Sequence, residues 1–156
     1  MTMSKRVATV ILNRNLPDIT DELHSHIINY DGNYTDIYVV EAGSSPDNLS
    51  KSCTWYVNDE AALKQGLRYS RGMNYALDKL YQSGLYFDYE FFFLLTNDTE
   101  LNSTATLSPL VSVMDEHERL GILSPCDETW GERNLIPDND VRYFWFIHNN
   151  AYLLRR

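Results

Sequence analysis

Apolar runs alternate along this chain with segments whose apolar positions fall on a helical period. The longest uninterrupted run, Phe91 to Leu95 in YEFFFLLTNDTEL, reads as a strand covered on both faces. VATVILN (Val7 to Asn13) predicts a first strand, and Ile37 to Val40 in DIYVVEAGSS a second, broken by Gly43. TWYVN is a short third candidate, and LGILSP another that Pro125 ends. Between them, Pro17 and Asp18 open a helix in which Ile19, Leu23 and Ile27 recur every four residues. Leu63, Leu67, Met73, Ala76, Leu77 and Leu80 predict a second helix, closed by Gly84. Ser108 as N-cap and Pro109 at the first helical position predict a third, with Leu110, Val113 and Met114 inward. DETWGERNLIPDND reads as a polar loop, and RYFWFIHNNAYLLRR as an extended, aromatic-rich close.

Strands alternating with helices imply an α/β domain, a mainly parallel twisted sheet flanked by helices. In such sheets ligands bind beyond the carboxyl ends of the strands. Asn13-Arg14-Asn15 follows the first strand, and Glu41 with Ala42-Gly43-Ser44-Ser45 ends the second. Thr96-Asn97-Asp98-Thr99-Glu100 follows the apolar run. One polar strand end is ordinary turn chemistry. Three on one sheet edge predict a site.

The 156 residues make one domain's worth of chain, with the hydrophobic and aromatic content of a globular protein. A net charge of −9, scattered along the sequence, argues against a nucleic-acid track or an anionic membrane patch. It suits a divalent cation, or solubility alone. Cys53 and Cys126 lack metal-ligand spacing and read as thiols of a reducing compartment. VATVIL is too short for a signal segment or a membrane span, which points to a cytoplasmic chain, with attachment through a larger parent protein left open. No G-x-x-x-x-G-K-[ST], G-x-G-x-x-G or G-x-S-x-G is present. His24 and His26 are two apart in a helical pattern and do not face each other, so they read as surface residues.

Taken in order, ATVILNRN, YVVEAGSS, RYSRGMNYAL and LLTNDTEL resemble the nucleotide-binding half of family 2 glycosyltransferases, which have the GT-A fold. MDEHERLGILSP and FIHNNAYLLRR look like that family's return strands, so the resemblance spans nearly all of residues 1–156. It implies transfer of a sugar from a nucleoside-diphosphate donor to an acceptor hydroxyl, with inversion and with Mg²⁺ or Mn²⁺ neutralising the leaving diphosphate. Asp98 stands at the last acid of the family's Asp-x-Asp motif and is the implied metal ligand, with Glu100 beside it as partner or as helix-start acid. Asp98 in an Asx-turn is the alternative. Thr96 stands where many members have an acid that contacts ribose, with Asn97 next to it. Glu41 takes the place of the acid that recognises the base, and the alternative is a solvated strand end.

Arg68 and Arg71, three apart, would point a cation at the nucleotide or else lie on a solvated helix face. Asn74 matches a helix Asn that ties the helix to the site, and Asn13, Arg14 and Asn15 would offer donors to base or phosphate. The inverting base is expected beyond Arg156, since Asp127, Glu128, Asp138 and Asp140 do not match the base motif. The sequence is therefore read as an N-terminal portion holding the donor site and lacking most of the acceptor site. A non-catalytic nucleotide-binding or interaction module of the same fold is the alternative, suggested by Thr96 and the missing base. A nucleotidyltransferase is a third, for which NRNLPD lacks the Gly-rich loop.

Overall fold

The computed structural model describes residues 5–102, 104–126, 129, 131–136, 141–143 and 150–156. Its strands are β1 (Val7–Asn13), β2 (Thr35–Ala42), β3 (Cys53–Val57), β4 (Phe91–Thr96), β5 (Ile122–Leu123) and β6 (Ala151–Arg155). Its helices are α1 (Pro17–Asp31), α2 (Glu60–Gln65), α3 (Tyr69–Gln82) and α4 (Leu107–Glu116). The strands form one sheet in the order β3-β2-β1-β4-β6-β5. The pairs β1–β2, β1–β4 and β2–β3 are parallel, and β6 runs antiparallel to both β4 and β5.

The apolar run folds as its pattern requires. Phe91 to Leu95 are all buried, with Phe91, Phe93 and Leu95 on one face and Phe92 and Leu94 on the other. The first face packs on Leu23 and Ile27 of α1 and on Leu107, Leu110, Val111 and Met114 of α4. The second packs on Met73, Ala76 and Leu80 of α3. Burying a large apolar side chain contributes about 1.5–3 kcal/mol, so this one strand supplies much of the core's stabilisation.

Three details of the helices depart from the sequence expectation. In α1 the buried positions are Thr20, Leu23, Ile27 and Asp31, while Ile19 is 45% exposed. The stripe therefore runs through two polar residues, each satisfied internally: Thr20 Oγ1 donates to Leu16 O at 2.9 Å, and Asp31 accepts from α4.

The second helix is two helices. Gly66 ends α2 at φ 70°, ψ 165°, a conformation essentially reserved for glycine. Leu67 N then donates to Ala42 O at the end of β2 (3.1 Å), which fixes the break against the sheet. Gly43 makes that approach possible, because a Cβ there would stand 1.9 Å from Ala62 O.

Helix α4 starts at Leu107, and its orphan amides are satisfied from a distance. Asp31 accepts from Thr106 N at 3.0 Å and from Leu107 N at 2.9 Å. Ser108 and Pro109 lie within the first turn, so Ser108 is not the cap. Of the closing segment, residues 144–149, including His148, lie outside the described residues; Ala151 to Arg155 form β6 as an extended piece.

Candidate functional site

Parallel pairing aligns the strand ends. Asn13 stands opposite Glu41, and Leu12 opposite Thr96, so the polar segments after β1, β2 and β4 share one edge of the sheet. A chain of side-chain hydrogen bonds joins them. Asn97 Nδ2 donates to Asn13 Oδ1 (2.8 Å), and Asn13 Nδ2 donates to both oxygens of Glu41 (3.0 and 2.9 Å). Glu41 also accepts from Ser44 Oγ at 2.5 Å and from Ser50 N at 2.7 Å.

Glu41 and Asn13 are both completely buried. A carboxylate removed from water needs its lone pairs filled, and Glu41 has them filled by three donor groups and no cation. It holds the β1 and β2 ends together and has no oxygen turned outward to a base. Asn13 is spent in the same way, since Leu16 N also donates to its Oδ1 at 3.3 Å. Asn15, at φ 58°, accepts from Ser45 N at 2.8 Å, and its own amide donates to Ser44 Oγ at 3.0 Å. Sequence reasoning turned these three side chains toward a ligand; in the structure Asn13 and Glu41 bond each other, and Asn15 bonds the Ser44–Ser45 turn.

Asp21 was missed altogether. Its carboxylate accepts from Ser50 Oγ (2.6 Å), Lys51 N (3.2 Å) and Ser52 N (3.3 Å), tying α1 to the segment before β3. Burial alone would push its pKa up, but the donors from Ser50, Lys51 and Ser52 together hold it below the ordinary value. The one signal for it was an acid in the first turns of a predicted helix.

The groups left facing outward form a different set. Asp98 and Glu100 are exposed and make no hydrogen bond or ion pair among the described residues. Thr96 and Asn97 are half-buried in a turn: Asn97 N donates to Leu12 O at 3.2 Å, Thr99 N to Thr96 O at 3.1 Å. Thr99 Oγ1 donates to Asn150 O at 2.8 Å, which brings the start of β6 to the same edge. Glu100 lies in the loop well ahead of α4 and is not a helix-start acid.

Arg14 is exposed and lies across Gly66 at the α2–α3 break, with Arg68 just before α3 and Arg71 in its first turn. Arg68 thus precedes the helix instead of sharing its face. Asn74 is exposed and makes no hydrogen bond among the described residues. His26 rests against Tyr30 with ring centroids 4.7 Å apart, burial pushes the His24 pKa down, and neither belongs to a metal-holding group of three His, Cys, Asp or Glu among the described residues.

Among the described residues, no group of three His, Cys, Asp or Glu is arranged to hold a metal ion. The outward groups at this edge, the carboxylates of Asp98 and Glu100 after β4 and the exposed Arg14, Arg68 and Arg71, are of the types that hold a cation together with a phosphate group. Mg²⁺ in particular is commonly held by one or two carboxylates plus substrate phosphates. Asp127, Glu128, Asp138 and Asp140 lie outside the described residues. No helix among the described residues is long and apolar enough to cross a membrane.

No family profile matches the chain, and no curated protein does. Among solved structures, it is similar to the mannosyltransferase PcManGT from Pyrobaculum calidifontis in complex with GDP-Man and Mn²⁺. That likeness has a TM-score of 0.66 at 13% sequence identity, covering 99% of this chain and 46% of the other. The chain thus shares the α/β fold of that structure, a mostly parallel sheet flanked by helices, and spans less than half its length.

Proposed function

We propose that this chain is the nucleotide-binding portion of a metal-dependent glycosyltransferase of the GT-A, family 2 kind. In this reading a sugar passes from a nucleoside-diphosphate donor to a carbohydrate or other hydroxyl acceptor with inversion. The observation that carries it is the rim itself: Asn97–Asn13–Glu41 bolts three parallel strand ends together and leaves Asp98 outward beside them. The fold shared with a protein in complex with GDP-Man and Mn²⁺ supports the same reading.

Breaking a sugar–diphosphate bond builds negative charge on the leaving group. Asp98, with Glu100, would hold Mg²⁺ or Mn²⁺, which supplies the charge neutralisation when bound. Arg14, Arg68 and Arg71 would face the phosphates, and Thr96 and Asn97 the nucleoside. Glu41 and Asn13 would serve the site by fixing its shape. The deprotonating base would come from outside this set.

Calorimetric titration with GDP, UDP and dTDP, with and without Mn²⁺, tests the proposal. Metal-dependent binding of at least one is expected, and its loss in Asp98→Asn with an unchanged circular dichroism spectrum. A folded protein that binds none of them in either condition would refute it. A non-catalytic module of the same fold is the second reading, favoured by Thr96 at a position where many members carry an acid. Sugar-nucleotide hydrolysis by any longer natural reading frame would exclude it.

A further inference from the structure

At the amino ends of the strands four cations are engaged: Lys5 pairs with Asp36 at 2.9 Å, and Arg6 with Glu90 at 2.6 Å and Asp115 at 2.8 Å. Arg155 donates to the carbonyls of Leu120 and His117 (3.0 and 3.2 Å), and Arg156 to Phe87 O at 2.7 Å. Arg14, after β1, and Arg68 and Arg71, around the start of α3, are exposed and make no ion pair or hydrogen bond among the described residues.

Arg14 has a further peculiarity. A Cβ on Gly66 would stand 2.8 Å from its Cδ and Nε and 3.0 Å from its Cζ. The guanidinium end therefore occupies the space that any side chain at residue 66 would fill. That space lies two residues before Arg68 and three before the uncapped start of α3, whose backbone amides carry the helix's partial positive charge. Leu67 N, bonded to Ala42 O, ties the break under Arg14 to the end of β2. An exposed Arg otherwise samples many rotamers, and ordering it on binding costs affinity.

We propose that Gly66 is a positioning residue for diphosphate recognition: its bare backbone seats Arg14 flat across the α2–α3 break, presenting the guanidinium to a phosphate at the start of α3. This rests on the nucleotide-binding reading and adds to it which side chain is pre-ordered, and by what. Arg14 acts on the phosphate. Gly66 acts only through Arg14.

The test is a double-mutant cycle. Wild type, Arg14→Ala, Gly66→Ala and the double variant are titrated with GDP, UDP and dTDP in Mn²⁺, and with the matching nucleosides. Arg14→Ala is expected to weaken diphosphate binding about tenfold, the size of one charge-assisted hydrogen bond. Gly66→Ala should weaken it comparably, and add nothing in the Arg14→Ala background. Nucleoside affinity should not move in any variant. Additive losses, or equal losses for nucleoside and diphosphate, would make Gly66 a backbone requirement only and overturn the proposal.

Should strain at Gly66 unfold the alanine variant, Arg14→Lys in the Gly66 background decides. Lysine keeps the charge but lacks the flat group that lies on the glycine, so it should bind as weakly as Arg14→Ala. Full affinity with lysine would overturn the proposal. A wild-type protein that binds no diphosphate overturns it together with the functional reading, whereas binding with an additive cycle removes this inference alone.

Discussion

Glu41 shows why residue type and position along a strand do not identify a ligand-facing acid. A carboxylate at the carboxyl end of a parallel strand can accept from a ligand or from its own neighbours, and both uses leave the same letter in the sequence. The distinguishing signal was local: Ser44 three residues on, across the Gly43 turn, and Asn13 one strand away in register. Asn13 was read as a site residue and Ser44 as part of the turn after Glu41, and the bonding of Asn13 to Glu41 was not legible because register is a tertiary property. The structure makes Glu41 a keystone whose four contacts need an acceptor. In Glu41→Gln the new amide group must face Asn13 Nδ2, a donor, whichever oxygen it replaces, because Asn13 Nδ2 bonds both. Losing a hydrogen bond to a charged group costs about 1.5–3 kcal/mol, so the variant should be destabilised by about that amount or more. Urea denaturation measures it, and a midpoint within error of wild type would show that Glu41 is not so held.

Elements were legible where burial is two-sided and obscured where a helix end depends on a distant residue. β1 and β4 are covered by helices on both faces, so their apolar letters run together and stand out at once. The α2–α3 break was invisible to periodicity because Leu63 and Leu67 continue the spacing across it, although Gly66 lay between them. The start of α4 was misread for a related reason. Its cap is Asp31, 75 and 76 residues away from the amides it accepts, and no local motif encodes that. Asp31→Ala should therefore cost about 1–2 kcal/mol, as for the loss of an N-cap. Hydrogen exchange of the Thr106 and Leu107 amides should rise with it, whereas a cap made by Ser108 would leave both unchanged.

At the scale of the molecule the two edges of the sheet carry opposite designs, and pH separates them. At the amino edge Arg6 forks between Glu90 (2.9 and 2.6 Å) and Asp115 (2.8 Å twice), joining the entries to β1 and β4 to the end of α4. Hydrogen bonding from Arg6 holds both carboxyls below their ordinary values of 4.5 and 3.8, against the opposing effect of burial. A carboxyl with a depressed folded pKa is protonated first in the unfolded chain. Its stabilisation is thus complete above the ordinary value and is lost as pH falls through 4.5 and 3.8 toward the depressed ones. Asp21 acts with the same sign at the other edge, from its ordinary 3.8 downward. All three members of the Arg6 cluster are more than one-third exposed, so salt should screen the effect. Arg6→Gln should consequently flatten the fall in melting temperature between pH 5 and pH 3, a range that brackets these values. The difference from wild type should shrink at high salt. Arg6 precedes β1 and Asp98 follows β4, at opposite ends of parallel strands, so nucleotide affinity at neutral pH should stay at the wild-type value. A variant that kept the full acid slope would show that the clamp is not a source of the pH dependence; one that lost nucleotide binding would show that the two edges are coupled through the sheet.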